Sequence, residues 1–446
     1  MSNLLLLASL VLAPLASAED GNPTVAPAEG ERGKVQVWKS AGGIDFEYYV
    51  PPSYDPERGA NLTVVLHGNG LDHRWTFWNH PAGEFRPDDI IVSPDGTSPL
   101  NGVNEFLGGS DDVERFHALL QELEGHWKVN QTFLYGHSQG SFFVFFYAGE
   151  HPEDVDGVCG HASGAWMGTK TSKAGQRQAI GILHGTDDHV PYGQGVGART
   201  MYEDAKYPLV HLRTLFDWPH RPHWMQAESV LSWCEGMTST DPDRVERCLE
   251  ELAEEDRPMG VDWGALYAVA ERLGALDGAT QKQKNLGKRL ADAVDDLATR
   301  HLAEITKSAG KGKLSDLRAG AWSGHLTRLV EDFRGVPAFE AFRKKNKKVF
   351  AVLEEDVVSS LSAWWRKQES DENDAFALGL DVLEHGFTNY QCVEIAGKLE
   401  AMAGRAKEIG LSKKDLERFE SVLATWREGR RDGFKEFEAL NAKAKL

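Results

Sequence analysis

The pentapeptide Gly136-His137-Ser138-Gln139-Gly140 constrains the fold of this 446-residue chain more than any other feature. The segment before it, Thr132–Tyr135, has the pattern of a buried strand, and the segment after it, Phe142–Tyr147, has that of a helix. A strand that turns at once into a helix brings two backbones together, and the flanking glycines leave room for them. The serine then projects from the sheet edge beside a helix N-terminus, which favours negative charge. The pattern therefore predicts a strand–turn–helix elbow with Ser138 as a nucleophile.

Short β-type segments alternate with helical segments from residue 34 to about residue 235. Leu62–Leu66 and Ile90–Pro94 are continuous apolar segments, typical of strands buried on both faces of a parallel sheet. Asp112–Leu123 has helical spacing, and we expect Asp112 to cap its start. Further strands are predicted at Val35–Trp38, Phe46–Val50, Val155–Val158, Ala179–Leu183 and Leu209–Leu215. This alternation predicts an α/β fold with a mostly parallel, doubly wound sheet.

The periodicity changes near residue 240, beyond which amphipathic helices are predicted as far as the C-terminus. Leu266, Val269 and Leu273 recur at i, i+3 and i+7, and so share one helix face. Ser412 and Asp415 predict a capping box at the start of the last helix. We therefore expect a catalytic domain over residues 34–238 and an all-α domain, to which the sequence assigns no role, over residues 239–446.

The N-terminus resembles a secretory signal. An apolar segment, Leu4–Leu15, precedes Ala16-Ser17-Ala18, a cleavage pattern of small residues, although no Lys or Arg precedes the apolar segment. We predict a signal peptide over residues 1–18, a flexible leader over residues 19–33, and a secreted or periplasmic protein. No later segment has the length and apolar character of a membrane span.

The net charge of −19 argues against a nucleic-acid partner, because phosphate binding requires a cationic face. Four cysteines occur, and an exported chain could oxidise them. Cys234 and Cys248 are close enough in sequence to close a short loop; the alternative is that the cysteines are small buried apolar residues. Sequence does not determine the pairing.

A serine nucleophile needs a base to take its proton and a carboxylate to orient that base. Two adjacent carboxylates, Asp187 and Asp188, follow the predicted strand that ends at Leu183. We prefer Asp188 and keep Asp187 as the alternative. The base is expected in the turn after the last strand, where His220 is preferred and His223 is the alternative.

A reaction at a carbonyl carbon also requires two N–H donors for the oxyanion. Gln139, the residue after the nucleophile, would supply one N–H, and Asn69 in the turn His67-Gly68-Asn69-Gly70 would supply the other. His220 and His223 also form an H-x-x-H pair, which without a third ligand is a weak indication of zinc. We expect no metal and no organic cofactor.

Together, the HGNG turn, the DVERFHALL helix, GHSQG, HGTDDHVP and the late histidine resemble α/β-hydrolase esterases. The sequence is most similar to the polyhydroxybutyrate depolymerase and feruloyl esterase group, with dienelactone hydrolases and carboxylesterases close behind, over residues 34–235. The resemblance implies an α/β-hydrolase fold, with Ser138, Asp188 and His220 as a triad and Asn69 and Gln139 at the oxyanion. Dienelactone hydrolases proper have a cysteine where this chain has Ser138.

These features predict a serine esterase acting through an acyl-enzyme on an ester substrate of aryl or polymeric type. The aromatic residues Trp75, Phe77 and Trp78 either line its acyl or aryl pocket or belong to the core. One alternative is a peptidase of the same fold. The other is a binding or scaffold protein, whose helical half engages a protein or the cell envelope.

Overall fold

The computed structural model of the protein describes residues 30–100, 102–254, 259–309, 321–354, 371–384 and 391–443. The predicted signal peptide and residues 19–29 of the predicted leader lie outside the described residues. Among the helices that are described, none combines the length and apolar character that crossing a membrane requires.

Most of the strands belong to one sheet. The strands are β1 (Val35–Lys39), β2 (Asp45–Tyr49), β3 (Ala60–Leu66), β4 (Ile90–Pro94), β5 (Ser98–Leu100), β6 (Val103–Glu105), β7 (Val129–His137), β8 (Gly157–His161), β9 (Ala179–Gly185) and β10 (Val210–Leu215). The large sheet has the order β1-β2-β4-β3-β7-β8-β9-β10, and β5 and β6 form a separate hairpin. Within the large sheet, the neighbouring strands along β4-β3-β7-β8-β9-β10 are all parallel, whereas β2 pairs antiparallel with both β1 and β4 at one edge. This is the α/β-hydrolase fold that the sequence predicted.

The helices continue to the end of the described chain. They are α1 (Trp75–Asn79), α2 (Ser110–His126), α3 (Gln139–Glu150), α4 (Gly193–Asp204), α5 (Trp224–Thr238), α6 (Pro242–Leu252), α7 (Trp263–Ala275), α8 (Gln281–Ala309), α9 (Ala321–Asp332), α10 (Pro337–Lys345), α11 (Lys347–Glu354), α12 (Glu372–Glu384), α13 (Gln391–Gly404), α14 (Ala406–Ile409) and α15 (Lys413–Asn441). Every described element after residue 240 is a helix, as the change in periodicity predicted.

Side chains cap the starts of α6, α7 and α15. Ser412 and Asp415 form the predicted capping box of α15, in which each side chain bonds the other residue's backbone N–H. The prediction that Asp112 caps α2 is wrong, because the helix begins at Ser110. The buried Asp112 carboxylate instead accepts hydrogen bonds from the Thr97 hydroxyl at 2.8 Å and the Leu107 N–H at 2.9 Å. It therefore ties the loops on either side of the β5–β6 hairpin together.

Successive residues of the central strands face opposite sides of the sheet, and each side has its own core. Leu62, Val64 and Leu66 pack with α2, α3 and α4 on one side. Val65 faces the other side, where α5 covers the sheet. The core on the α5 side continues through α6–α10 and reaches Phe437 in α15. Residue 238 therefore lies between two helices, α5 and α6, that share this hydrophobic core. The helices α12 and α13 and the first half of α15 pack around a smaller separate core.

A buried arginine on β10 joins the sheet to the helical half. The Arg213 side chain is only 2% exposed. Its guanidinium donates to the carbonyls of Met259 and Gly260 at 3.0 and 2.9 Å and to the Asp332 carboxylate at 3.2 Å. A buried cation is stable only when its donors are satisfied, so these contacts hold α9 and the segment before α7 against the sheet edge.

Three cysteines, Cys159, Cys234 and Cys248, are buried and free. The short loop between Cys234 and Cys248 is therefore not closed by a disulfide. Both residues belong to the hydrophobic core around α5 and α6, where they act as small apolar side chains.

Candidate active site

Ser138 lies at a sharp turn between β7 and α3. Its backbone has φ 56° and ψ −114°, a strained combination for a residue with a side chain. A Cβ on Gly136 would lie 2.2 Å from the Gly140 carbonyl oxygen, and a Cβ on Gly140 would lie 2.5 Å from that of Leu66. Both positions therefore require glycine, and the elbow predicted from the pentapeptide is present.

Three loops, after β3, β9 and β10, meet at this turn because their strands end at the same edge of the sheet as β7. Leu66 at the end of β3 pairs with Gly136 on β7, and Leu215 at the end of β10 pairs with Gly185 on β9. Parallel strands end at the same sheet edge, so the loops after β3, β7, β9 and β10 lie side by side. The loops after β9 and β10 are joined further by two bonds, from the Asp187 N–H to the Trp218 carbonyl and from the Asp217 N–H to the Thr186 hydroxyl.

The structure brings Ser138, His220 and Asp188 into one hydrogen-bonded chain. His220 Nε2 lies 3.0 Å from Ser138 Oγ, and His220 Nδ1 lies 2.7 Å from Asp188 Oδ1. The Asp188 side chain is fully buried, whereas that of His220 is 17% exposed. Asp188 Oδ1 also accepts from the Val190 N–H at 2.7 Å, which fixes the carboxylate. This arrangement can pass a proton from the serine to the imidazole and stabilise the imidazolium that results.

The alternative histidine has a different environment. His223 precedes α5 and packs on Trp218, with the ring centroids 4.6 Å apart. Burial, together with the nearby Arg213 charge, lowers the pKa of His223 to about 4. At neutral pH the His223 ring is therefore neutral and acts as a packing element. The other proposed acid, Asp187, lies in the β9–β10 contact described above.

The predicted oxyanion turn runs directly against the nucleophile. A Cβ built on Gly68 would lie 3.2 Å from the Ser138 Cβ, so the backbone of this turn approaches the serine closely. Gln139 is the first residue of α3, and the first N–H groups of a helix have no acceptor within the helix. The backbone amides of Asn69 and Gln139 thus belong to the two segments that border the Ser138 hydroxyl.

A buried glutamate that the sequence analysis did not identify holds the oxyanion turn. Glu105 Oε1 accepts from the Gly70 N–H at 2.8 Å and from the Asn69 side-chain amide at 3.1 Å. The Glu105 side chain is buried, and burial raises the pKa of its carboxyl group. Glu105 ends the β5–β6 hairpin, far from Asn69 in sequence, and no local motif marks it.

Buried imidazoles surround the base. The His137 ring lies 4.9 Å from that of His220 and stacks on Trp75 at 5.3 Å. Behind it, His161 Nδ1 lies 2.8 Å from the Tyr135 hydroxyl oxygen. Burial lowers the pKa of both His137 and His161 well below the ordinary value, and neighbouring histidines lower it further. These rings are therefore neutral packing elements under His220.

The three aromatic residues after the oxyanion turn have different roles. Trp75 is buried in the core, and Phe77 packs at its edge. Trp78 is 70% exposed, and the Arg74 guanidinium lies 5.4 Å from its ring centroid. Trp75 thus belongs to the core, one of the two roles the sequence left open, and Trp78 lies on the surface.

Asp188 and His220 also belong to one of two groups among the described residues that could hold a metal ion. Asp188, His189 and His220 each offer a ligand atom, all within 4.8 Å of one another. His189 is exposed, and its ring centroid lies 4.2 Å from that of His220. Because His220 already contacts both Ser138 and Asp188, an ion here would compete with the hydrogen bonds of the triad.

Comparison with solved structures returns esterases among the similar folds. A carboxylesterase from Mesorhizobium loti is 14% identical, with 45% of this chain and 97% of that chain covered and a TM-score of 0.38. The Bacillus cereus carboxylesterase is 16% identical over 44% of this chain and 94% of that one, with a TM-score of 0.36. A ferulic acid esterase from Anaeromyces mucronatus is 14% identical over 44% and 86%, with a TM-score of 0.33.

No protein-family model and no curated protein sequence matches the chain. The chemistry of the site therefore rests on the contacts of Ser138, His220 and Asp188.

Proposed function

We propose that this protein is a serine hydrolase that cleaves carboxylic esters through an acyl-enzyme on Ser138. The observation that carries the proposal is the continuous chain from Ser138 Oγ to His220 Nε2 at 3.0 Å and from His220 Nδ1 to Asp188 Oδ1 at 2.7 Å. Three further features support it. The backbone at Ser138 is strained, the neutral His137 ring packs against His220, and the Gly68 turn approaches Ser138 closely. A scaffold protein with a degenerate site would have no need of this set.

The proposed reaction has two stages. His220 takes the proton of Ser138 as Oγ attacks the ester carbonyl carbon, and the oxyanion accepts from the N–H groups of Asn69 and Gln139. His220 then gives the proton to the leaving alcohol, which leaves the acyl group on Ser138. A water molecule, deprotonated by His220, attacks the acyl carbonyl, and the acid departs as Ser138 regains its proton. Throughout, Asp188 holds the imidazole in the tautomer with hydrogen on Nδ1.

An apolar rim supports an aryl or polymeric ester as the substrate, as the likeness to polyhydroxybutyrate depolymerases and feruloyl esterases also implies. Four exposed large apolar side chains lie on segments that border the site: Leu71, Trp78, Leu107 and Met167. Leu71 adjoins the oxyanion turn, and Leu107 follows Glu105 by two residues. Exposed apolar side chains on segments beside a polar site favour substrates that bring apolar surface with them.

Substitution of the nucleophile tests the proposal. Ser138→Ala should abolish hydrolysis of p-nitrophenyl esters and labelling by a fluorophosphonate probe. Ser141→Ala is the matched control, because Ser141 lies one turn along α3 and its buried hydroxyl has no hydrogen-bond partner among the described residues. Turnover by Ser138→Ala at the wild-type rate would refute the proposal. Faster cleavage of p-nitroanilide amides than of matched esters would favour the peptidase alternative.

We also propose that the mature protein is exported after removal of residues 1–18. N-terminal sequencing of protein recovered outside the cytoplasm tests this, and an intact Met1 on exported protein would contradict it. Binding of a protein or envelope partner by residues 239–446 stays a prediction of the sequence.

A further inference from the structure

A second group of metal-ligating side chains lies at the far end of α3 from Ser138. His117 projects from α2, His151 directly follows α3, and Asp154 lies in the loop to β8. One ring nitrogen of each histidine and one carboxylate oxygen of Asp154 all lie within 4.8 Å of one another. Because α3 has twelve residues, about 18 Å of helix separates this group from Ser138. The group is therefore distinct from the proposed active site.

Hydrogen bonds within the group do not use all its ligand atoms. Asp154 Oδ2 lies 2.7 Å from His117 Nδ1 and accepts a hydrogen bond from the Tyr147 hydroxyl. His151 Nδ1 points to the same oxygen from 4.0 Å, which is beyond hydrogen-bond distance, and lies 3.5 Å from a carboxylate oxygen of the exposed Glu153. The two imidazoles stack with centroids 4.4 Å apart and planes at 14°. Two imidazole nitrogens and a carboxylate oxygen thus lie within 4.8 Å of one another.

The position is both accessible and favourable for a cation. The Asp154 side chain is 7% exposed, whereas those of His117 and His151 are 31% and 18% exposed, so an ion can enter from solvent. Glu124 lies nearby; burial raises the pKa of its carboxyl group, and the Asp154 charge raises it further. The C-terminal end of α3 adds the negative end of a helix dipole, which attracts cations.

We propose that His117, His151 and Asp154 bind a divalent transition-metal ion of the zinc type. Two imidazoles, one carboxylate and a water molecule form a four-coordinate zinc set, whereas Mg²⁺ and Ca²⁺ prefer oxygen ligands alone. Ligand atoms around zinc lie about 3.3 Å apart, so binding draws the partly exposed His117 and His151 rings inward. The Tyr147 hydroxyl orients the Asp154 carboxylate from outside the ligand set. The bound ion clamps the end of α3 to α2 and stands apart from ester hydrolysis.

Calorimetric titration of the metal-free full chain with ZnCl₂ tests the site. His151→Ala should weaken zinc binding by at least about 100-fold, because even residues outside a ligand set cost about 10–100-fold. The matched control is His189→Ala, which makes the same substitution in the group beside the triad. His189→Ala should keep the wild-type affinity at this site, and zinc should raise the melting temperature of the wild type and of His189→Ala but not of His151→Ala.

Two results of the zinc titrations would overturn the proposal. One is that the wild-type chain binds no zinc with micromolar affinity, or binds it only at a site that His189→Ala abolishes. The other is wild-type affinity in both His151→Ala and His117→Ala. Circular dichroism shows whether each variant folds, and His117→Ala replaces His151→Ala should the latter not fold. As a readout independent of the variants, Co²⁺ bound by the wild type should give the intense visible bands of four-coordinate cobalt, and their absence would also contradict the proposal.

Discussion

Replacement of Asp188 by asparagine isolates the contribution of the buried carboxylate to the proposed reaction. The substitution preserves the shape of a side chain that is fully buried. With its NH₂ group toward His220 Nδ1, at the loss of the hydrogen bond from the Val190 N–H, the amide favours the tautomer that carries hydrogen on Nε2. That tautomer cannot accept the proton of Ser138 from 3.0 Å away. The variant also lacks the negative charge that stabilises the imidazolium.

The size of the effect follows from the distance. Two unit charges separated by 2.7 Å, as between His220 Nδ1 and Asp188 Oδ1, attract by about 6 kcal/mol at an effective dielectric constant of about 20. Each 1.36 kcal/mol of lost transition-state stabilisation costs about tenfold in rate, so kcat/KM of Asp188→Asn should fall by about 10⁴-fold. Hydrolysis of p-nitrophenyl butyrate, followed by absorbance, measures this ratio directly.

Asp187→Asn provides the control, since it makes the same change one residue earlier in the same turn. We expect this variant to keep kcat/KM within a few-fold of the wild type. A loss of less than tenfold in Asp188→Asn, or an equal loss in both variants, would refute the assignment of Asp188 as the acid. Unfolding curves of both variants establish that the comparison is between folded proteins.

Three further predictions concern residues around the site and the core. Glu105→Ala should lower kcat about 10–100-fold with little change in KM, because the oxyanion turn loses the acceptor of the Gly70 N–H. Glu105→Gln keeps that acceptor and should recover most of the rate. Equal losses of kcat in the two variants would contradict this role of Glu105. Arg213→Met should lower the free energy of unfolding, measured in urea, by about 3–5 kcal/mol, because the buried Asp332 loses a positively charged partner. A loss below about 1 kcal/mol, roughly that of a surface substitution, would contradict this prediction. Burial lowers the pKa of His325 to about 3, so below about pH 6.5 the unfolded chain binds more protons than the folded one, and the free energy of unfolding falls as pH falls. His325→Leu should reduce the slope of the free energy of unfolding against pH by about 1.4 kcal/mol per pH unit. An unchanged slope would contradict this prediction.

Local sequence determined the elbow and the order of the elements. Glycines at 136 and 140 are required by contacts with backbone atoms a few residues away or on the adjacent strand, so a short pattern reports them reliably. The alternation of apolar strands with helices fixed the parallel sheet, because strands buried on both faces need helical crossovers. In the same way, Ser412 and Asp415 predicted the start of α15, because a capping box involves only four consecutive residues.

Contacts between distant segments were decided by the tertiary structure. The sequence placed two carboxylates after β9 and two histidines after β10, and only the conformations of these loops bring the Asp188 carboxylate to His220. Glu105 reaches the oxyanion turn across 35 residues, and Arg213 reaches Asp332 across 119, with no local pattern to mark either pair. A local sequence pattern reflects steric contacts between residues that are close in sequence. Strand register and loop packing, in contrast, determine which side chains from distant segments come into contact.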